Sequence, residues 1–124
     1  MKIKIDYKLD NLNEIINKSR RNIYLANNSK RKEMEACKIF LKDMKKIEHY
    51  PIKINCEWHV KNLGSDLDNK LLKSVLDSMQ EMGILENDNI KHINEINHKA
   101  VKDKEDFLIM EVIWMNIQTY TILK

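Results

Sequence analysis

The chain has 124 residues, with 22 Lys or Arg and 19 Asp or Glu, so its formal net charge is +3 with neutral histidines. Hydrophobic residues make up 43% of the sequence, which is too apolar for an intrinsically disordered chain. No uninterrupted apolar stretch approaches the roughly 20 residues of a membrane-spanning helix, and two cysteines are too few for a disulfide framework. The simplest interpretation is a single domain over residues 1–124, in a reducing cytoplasm and with no membrane partner.

The first elements in chain order are a strand and two helices. Residues 1–8 alternate between apolar and charged side chains, which predicts a half-buried strand. A helix follows, with Asp10 or Asn11 as its N-cap and Glu14 at the position of a capping-box partner. A second helix is expected with Ser29 as its N-cap, and its apolar residues recur at steps of three and four as far as Ile47.

The second half of the chain predicts a strand, a helix and two further strands. Residues 52–60 alternate strictly, residues 69–82 follow helical periodicity, and Gly83 is placed to end that helix. Strand patterns then cover residues 90–101 and 106–117, and the last is apolar on both faces, which indicates a second covering surface. The order β-α-α-β-α-β-β predicts an α+β domain, in which three helices pack on a mixed four-stranded sheet.

Acidic residues carry the clearest chemical signal. Asp66 and Asp68 lie two residues apart before the predicted third helix, and in an extended stretch both carboxylates project to the same side. Neighbouring carboxylates resist joint ionisation, and a divalent cation removes that conflict. An all-oxygen ligand set favours Mg²⁺ or Mn²⁺, and Asp88 would complete it if the following strand pairs beside residues 51–61. The alternative is that Asp66 and Asp68 serve the helix N-terminus and that Asp88 is a turn residue.

A longer pattern surrounds these acids. Its segments are Asp66-Leu67-Asp68-Asn69, Lys73-Ser74-Val75-Leu76-Asp77, Gly83-Ile84-Leu85 and Glu86-Asn87-Asp88-Asn89. This pattern resembles the RusA family of Holliday junction resolvases, most strongly over residues 51–100. The resemblance implies a RusA-like fold and a phage- or prophage-associated homodimer that resolves four-way DNA junctions in recombination and repair, by paired Mg²⁺-dependent nicks. It also implies that the metal ligands are Asp66, Asp68 and Asp88, and that the catalytic residues are these three with Lys73.

The lysine position departs from the family pattern by one residue. The family lysine usually lies three residues after the asparagine, where this chain has Leu72. Lys73 keeps its spacing to the following Leu-Asp pair, and Lys70 is its rival. Either lysine would direct positive charge toward the scissile phosphate. The alternative for Lys73 is a surface ion pair with Asp77 one helical turn away.

The acidic turn departs from the family pattern as well. The family commonly has two adjacent acids there, and the first of them is Asn87 in this chain. Asp88 is therefore the single exact match, and Glu86 is not expected to be a ligand.

Basic residues concentrate in one part of the chain. Residues 18–46 contain ten Lys or Arg and three acids, so this segment carries +7 and the remainder −4. Such a distribution is typical of phosphate binding by one region and metal binding by another, and the alternative is two helices with ordinary solvated faces. Within it, Lys30-Arg31-Lys32 would oppose the dipole of a helix start without a local structural reason. The expected DNA-binding side chains are Lys18, Arg20, Arg21, Lys30, Arg31, Lys32 and Lys70.

Three functions fit these features. The first is a Mg²⁺-dependent crossover junction endodeoxyribonuclease that acts on four-way branched DNA as a homodimer. The second is a non-catalytic basic DNA-binding module whose acidic cluster is structural. The third is a metal nuclease for other branched DNA. Cleavage in the presence of Mg²⁺ separates the second function from the other two, and a comparison of substrates separates the first from the third.

Overall fold

The computed structural model describes residues 1–115, in which three α-helices and four strands follow the predicted order. The strands are β1 (Lys2–Ile5), β2 (Ile52–Val60), β3 (Ile93–Lys102) and β4 (Phe107–Trp114). The helices are α1 (Leu12–Arg21), α2 (Ile23–Leu41) and α3 (Lys73–Glu81), and a 3₁₀ turn (Leu67–Asn69) precedes α3. The predicted α+β class, with three helices and a mixed four-stranded sheet, is confirmed. Asn116 and Ile117, which end the last predicted strand, lie outside the described residues.

The strand order in the sheet is β1-β4-β2-β3, and β2 pairs with β3 in parallel and with β4 in antiparallel register. Every second residue of β2 is buried, because the helices pack on one face of the sheet. The shared core includes Ile5, Cys37, Leu41, Ile54, Cys56, Trp58, Val75, Met79, Leu108 and Met110. The opposite face carries polar side chains of β2 and β3 beside Phe107, Ile109, Glu111 and Ile113 of β4, so the expected apolar character of both faces of this strand is present except at Glu111.

The break between the first two helices lies at Asn22, so the expected N-cap at Ser29 was wrong. Asn22 has an extended backbone (φ −167°, ψ 121°), and its Oδ1 accepts hydrogen bonds from the backbone N–H groups of Tyr24 and Leu25. Ser29 lies inside α2, and its hydroxyl accepts a hydrogen bond from Lys18 Nζ at 2.7 Å. At the start of α1, the capping box of Asn11 and Glu14 is confirmed.

The second helix ends at Leu41, before the end of its apolar stripe. Met44 and Ile47 are buried as the stripe predicts, but they lie in the irregular segment that follows the helix. The backbone N–H of Ile47 donates to the carbonyl of Ile84 at 2.8 Å, which joins this segment to the turn after α3. The periodicity therefore identified core residues correctly and overestimated the length of the helix.

The third helix begins at Lys73 and not at Asn69. Lys70 has an extended backbone (φ −73°, ψ 134°), which separates the 3₁₀ turn from α3. The end of the helix agrees with the sequence, because Gly83 has a φ of 74°, a conformation that glycine adopts without the steric cost of a side chain. This local arrangement places the acidic residues on a turn in front of the helix.

Candidate metal and nucleic-acid site

Asp66 and Asp68 lie on the chain segment that joins β2 to α3. Asp66 is the extended residue (φ −83°, ψ 127°) before the 3₁₀ turn and Asp68 is within the turn, so the expected extended stretch does not continue through both. Both side chains are exposed. Asn69 Nδ2 donates to Asp66 Oδ2 at 3.4 Å, and the backbone N–H of Asn69 donates to the Asp66 carbonyl at 3.2 Å. Asn69 thus closes the turn and orients the first carboxylate.

Asp88 lies in the exposed loop that leads into β3. As expected, β3 pairs beside β2, but its first residue pairs with Ile52, at the start of β2, whereas Asp66 follows the end of that strand. The nine-residue strand is about 26 Å long, and residues of the 3₁₀ turn contact β3. The structure does not bring Asp88 into one group with Asp66 and Asp68. Among residues 1–115, no three His, Cys, Asp or Glu side chains form a group that could hold a metal ion.

The exposed pair of carboxylates has the donor chemistry that Mg²⁺ prefers. Mg²⁺ keeps several of its waters and is commonly bound through one or two carboxylates together with oxygens of a substrate phosphate. Asp66 and Asp68 supply two carboxylates on one short turn, both open to solvent. This donor set fits a hydrated ion that completes its coordination with a phosphodiester.

The structure places the two rival lysines in different surroundings. Lys73 is the first residue of α3, its side chain is 61% exposed, and its Nζ lies 3.4 Å from Asp77 Oδ1 in the i,i+4 pair that the sequence offered as the alternative. Lys70 is half-buried, and its Nζ lies 5.9 Å from the centroid of the Trp58 ring. Lys70 therefore lies against the sheet, while Lys73 lies at the surface of the helical layer.

Lys73 shares a cleft with cations from the other two helices. The cleft has a volume of about 130 Å³ and lies between α1, α2 and the start of α3, where Lys18, Lys30 and Lys73 line it. Lys18 Nζ lies 2.6 Å from Asp10 Oδ2, and Lys30 Nζ lies 2.8 Å from Asp77 Oδ2. The fold thus brings together three lysines that are far apart in the sequence.

A buried carboxyl group forms part of the lining of this cleft. Glu33 is 6% exposed, and its Oε2 accepts a hydrogen bond from the backbone N–H of Asp10 at 2.9 Å. Burial raises the pKa of Glu33, and hydrogen bonds from Asp10 and Ser74 oppose that rise without cancelling it. The shift extends the pH range in which Glu33 is neutral to higher pH.

The run Lys30-Arg31-Lys32 lies in the middle of α2, so the argument from a helix start was wrong. Lys30 pairs with Asp77, and Arg31 Nη1 lies 3.0 Å from Glu81 Oε1, so both side chains have structural partners on α3. Within residues 1–115, Lys32 has no acidic partner inside 4.0 Å, and the same is true of Arg20 and Arg21. The predicted DNA-binding residues thus divide into paired and solvent-facing groups.

Sequence reasoning missed a ring pair beside the acidic turn. Trp58 is 5% exposed, and its Nε1 donates a hydrogen bond to His98 Nδ1 at 2.9 Å, with the ring centroids 6.1 Å apart. Burial lowers the pKa of His98. The alternation of β2 predicts a buried Trp58, but its partner depends on the parallel register that sets His98 opposite Cys56. A single sequence carries no signal for that register.

Comparison with known proteins adds no family assignment, because no family model and no curated protein matches this sequence. Over residues 1–115, the helices are too short or too polar to cross a membrane.

Proposed function

We propose that this chain is a Mg²⁺-dependent endodeoxyribonuclease of the RusA type that cuts four-way branched DNA. One observation carries the proposal. The exposed carboxylates of Asp66 and Asp68 lie on the turn directly before α3, and the first residue of α3 lines a cleft with Lys18 and Lys30. A phosphodiester substrate requires both groups of side chains, because the carboxylates bind a divalent cation and the lysines bind phosphate oxygens.

The proposed reaction is hydrolysis of one phosphodiester bond at each site. Bound Mg²⁺ supplies Lewis acidity toward a phosphate oxygen and lowers the pKa of a coordinated water. Asp66 and Asp68 would hold the ion, and Asp88 is the third ligand that the RusA resemblance implies, although in this structure its loop leads into the strand that begins beside the other end of β2. Lys73 would direct positive charge at the phosphate. The attacking water forms a P–O bond and gives up a proton, and the P–O bond to the leaving oxygen breaks as that oxygen takes up a proton.

The proposed active form is a homodimer. A four-way junction is resolved into two intact duplexes only when two opposed strands are cut. A two-fold dimer holds two equivalent sites in a fixed relation, which matches the symmetry of such a substrate. The open face of β4, with Phe107, Ile109 and Ile113, is the proposed contribution of the sheet to the dimer interface.

The decisive experiment removes the negative charge of each carboxylate in turn. Asp66→Asn, Asp68→Asn and Asp88→Asn are each expected to slow cleavage of a synthetic four-way junction in Mg²⁺ by about 100-fold or more, because each removes a ligand charge. Junction binding measured without divalent cations is expected to stay near that of the unaltered protein. Asp43→Asn is the matched control, because Asp43 is also an exposed acid and lies in the turn after α2.

The outcomes separate the competing functions. Binding without any Mg²⁺-dependent cleavage by the unaltered protein would show a DNA-binding module. Faster cleavage of flap or three-way substrates than of four-way junctions would show a nuclease for other branched DNA. Near-normal cleavage by all three variants would contradict the metal site itself.

A further inference from the structure

Three consecutive apolar side chains are exposed at the corner between α1 and α2. Tyr24 is 75% exposed, Ile23 57% and Leu25 45%, and none of them belongs to the buried core. Single exposed apolar residues are common on soluble proteins, whereas a contiguous group marks a surface that a partner covers. The backbone of the corner is stabilised by Asn22, which caps the start of α2 through the backbone N–H groups of Tyr24 and Leu25.

The chain segment that forms this corner carries only positive charges. Residues 15–32 contain six Lys or Arg and no Asp or Glu. Arg20 and Arg21 form the last turn of α1, and in the described part of the chain neither lies within ion-pair distance of an acid. The first turn of α2 has no acidic residue, so the positive end of its helix dipole adds to the charge of the arginines. An anionic partner therefore fits this surface.

The corner is continuous with the lysine cleft of the proposed nuclease site. Ile23 lines that cleft together with Lys18, Lys30 and Lys73. One surface thus runs from Tyr24, past Ile23 and the lysines, to the start of α3. A nucleic acid fits this surface, because its phosphates can bind Arg20 and Arg21 and its bases can stack on an aromatic ring. In the cleft, phosphates would replace Asp10 and Asp77 as the partners of Lys18 and Lys30.

We propose that the corner formed by residues 20–25 binds branched DNA at the branch point. Arg20 and Arg21 bind phosphates on either side, and the ring of Tyr24 stacks on the face of a base that the branch leaves unstacked. A continuous duplex has no such free base face, so Tyr24 distinguishes branched from linear DNA. The proposal rests on the proposed function for its substrate class, but it concerns a surface separate from the carboxylates.

Binding measured without divalent cations tests this proposal independently of cleavage. The probe is a synthetic four-way junction with 2-aminopurine at the branch point, compared with a linear duplex of the same length. Tyr24→Ala is expected to weaken junction binding by about 5- to 150-fold, the loss of one base–aromatic stack, and to leave duplex binding unchanged. Tyr24→Phe keeps the ring and is expected to retain affinity. Ile39→Ala is the matched control, because Ile39 is 66% exposed on α2 outside the corner.

The fluorescence of 2-aminopurine reports stacking directly. The unaltered protein and Tyr24→Phe are expected to change the fluorescence on binding, and Tyr24→Ala is not. Equal junction affinity of Tyr24→Ala and the unaltered protein would overturn the role of the corner, whether or not the Asp66→Asn variant has lost cleavage. Loss of binding to vesicles of anionic lipid in Tyr24→Ala, with DNA binding unchanged, would overturn it in favour of a membrane partner. Failure of the unaltered protein to bind any DNA would overturn both proposals.

Discussion

A single hydrogen bond determines the protonation state of the histidine beside the acidic turn. The indole N–H of Trp58 is only a donor, so His98 Nδ1 must accept it, and the neutral imidazole then carries its proton on Nε2. Protonation of Nδ1 would place two donors 2.9 Å apart, and burial also lowers the pKa of His98. Lys70 lies over the same indole, so the ring pair supports the segment that carries Asp66 and Asp68.

Removal of the indole N–H donor of Trp58 tests this hydrogen bond without any measurement of catalysis. Long-range ¹⁵N–¹H spectra at pH 7 are expected to show His98 as the Nε2–H tautomer, and Trp58→Phe is expected to give a mixture of tautomers because the donor to Nδ1 is lost. Trp114→Phe is the control, since Trp114 is 50% exposed and its ring lies beside His49. A mixture of tautomers in the unaltered protein would contradict the assigned hydrogen bond.

At the level of single residues, the sequence correctly predicted the roles that depend only on residues close by in the chain. The capping box of Asn11 and Glu14 spans three residues, and the positive φ of Gly83 follows directly from the end of a helix. Asn22 and Ser29 are both good caps by residue type, but only Asn22 caps α2, and the Ser29 hydroxyl instead binds Lys18, eleven residues away. The spacing of apolar residues carries no information about the contact between Lys18 and Ser29.

The candidate site also depends partly on residues close in the chain and partly on contacts between distant residues. The short spacing of Asp66 and Asp68 keeps both at one 3₁₀ turn, although the extended stretch that the sequence predicted does not continue through both residues. The position of Asp88 relative to that turn depends on the path of α3 and on the parallel pairing of β3 with β2. The ion pair of Lys30 with Asp77 joins residues 47 positions apart, so the sequence could not show that this lysine has a structural partner.

At the level of elements, α2 and α3 are joined by a surface network of ion pairs. Glu81 contacts both Arg31 and Lys38, and the hydrogen bond from Arg31 is the largest cause of its lowered pKa. A carboxyl group with a lowered pKa stabilises the folded state above its ordinary value of 4.5, and that contribution is lost as the pH falls through the lowered value. Exposed pairs of this kind stabilise proteins weakly, so their main consequence is to occupy two cations.

Glu81→Gln tests separately how the ion pairs affect stability and how they affect the cations of α2. The variant is expected to unfold slightly more easily at pH 7, and the difference is expected to disappear well below pH 4.5, where Glu81 is neutral in both states. It is also expected to bind DNA more tightly and with a steeper dependence on salt, because Arg31 and Lys38 each lose one of two acidic partners and keep only Glu35. Urea unfolding and binding titrations at several salt concentrations measure both quantities. An unchanged salt dependence would show that these cations face away from DNA.

At the level of the whole molecule, the helices cover one face of the sheet and leave the other open in the described residues. On that open face, β2 and β3 are linked by polar contacts, including Asn97 Nδ2 to Asn55 Oδ1 at 3.0 Å and Lys99 Nζ to Glu57 Oε2 at 3.4 Å. The neighbouring strand β4 presents Phe107, Ile109 and Ile113, with Glu111 between the two isoleucines, where its Oε1 accepts a hydrogen bond from Asn55 Nδ2 at 3.2 Å. Apolar side chains interrupted by one bonded carboxylate and bordered by a polar ladder have the mixed composition of an interface, in which apolar contacts are bordered by polar ones.

This arrangement predicts the effect of a further charge on the open face of β4. Light scattering of the unaltered protein at micromolar concentration is expected to give about 30 kDa, twice the chain mass of 14.8 kDa. Ile109→Glu is expected to give a folded species of about 15 kDa, because two copies of the charge would be buried against each other across a two-fold axis. Ile109 is only partly buried in the monomer, so the change is expected to alter monomer stability little.

The control for the dimer is a charge at an equally apolar position outside the sheet. Ile39→Glu places the charge at an exposed position of α2 and is expected to leave the dimer mass unchanged. A monomeric Ile109→Glu variant has single active sites, so it is expected to nick junctions without coupling the second cut to the first, and nicked junctions should accumulate. Paired cutting by a species of about 15 kDa would show that one chain is sufficient, and the open face of β4 would then require another partner.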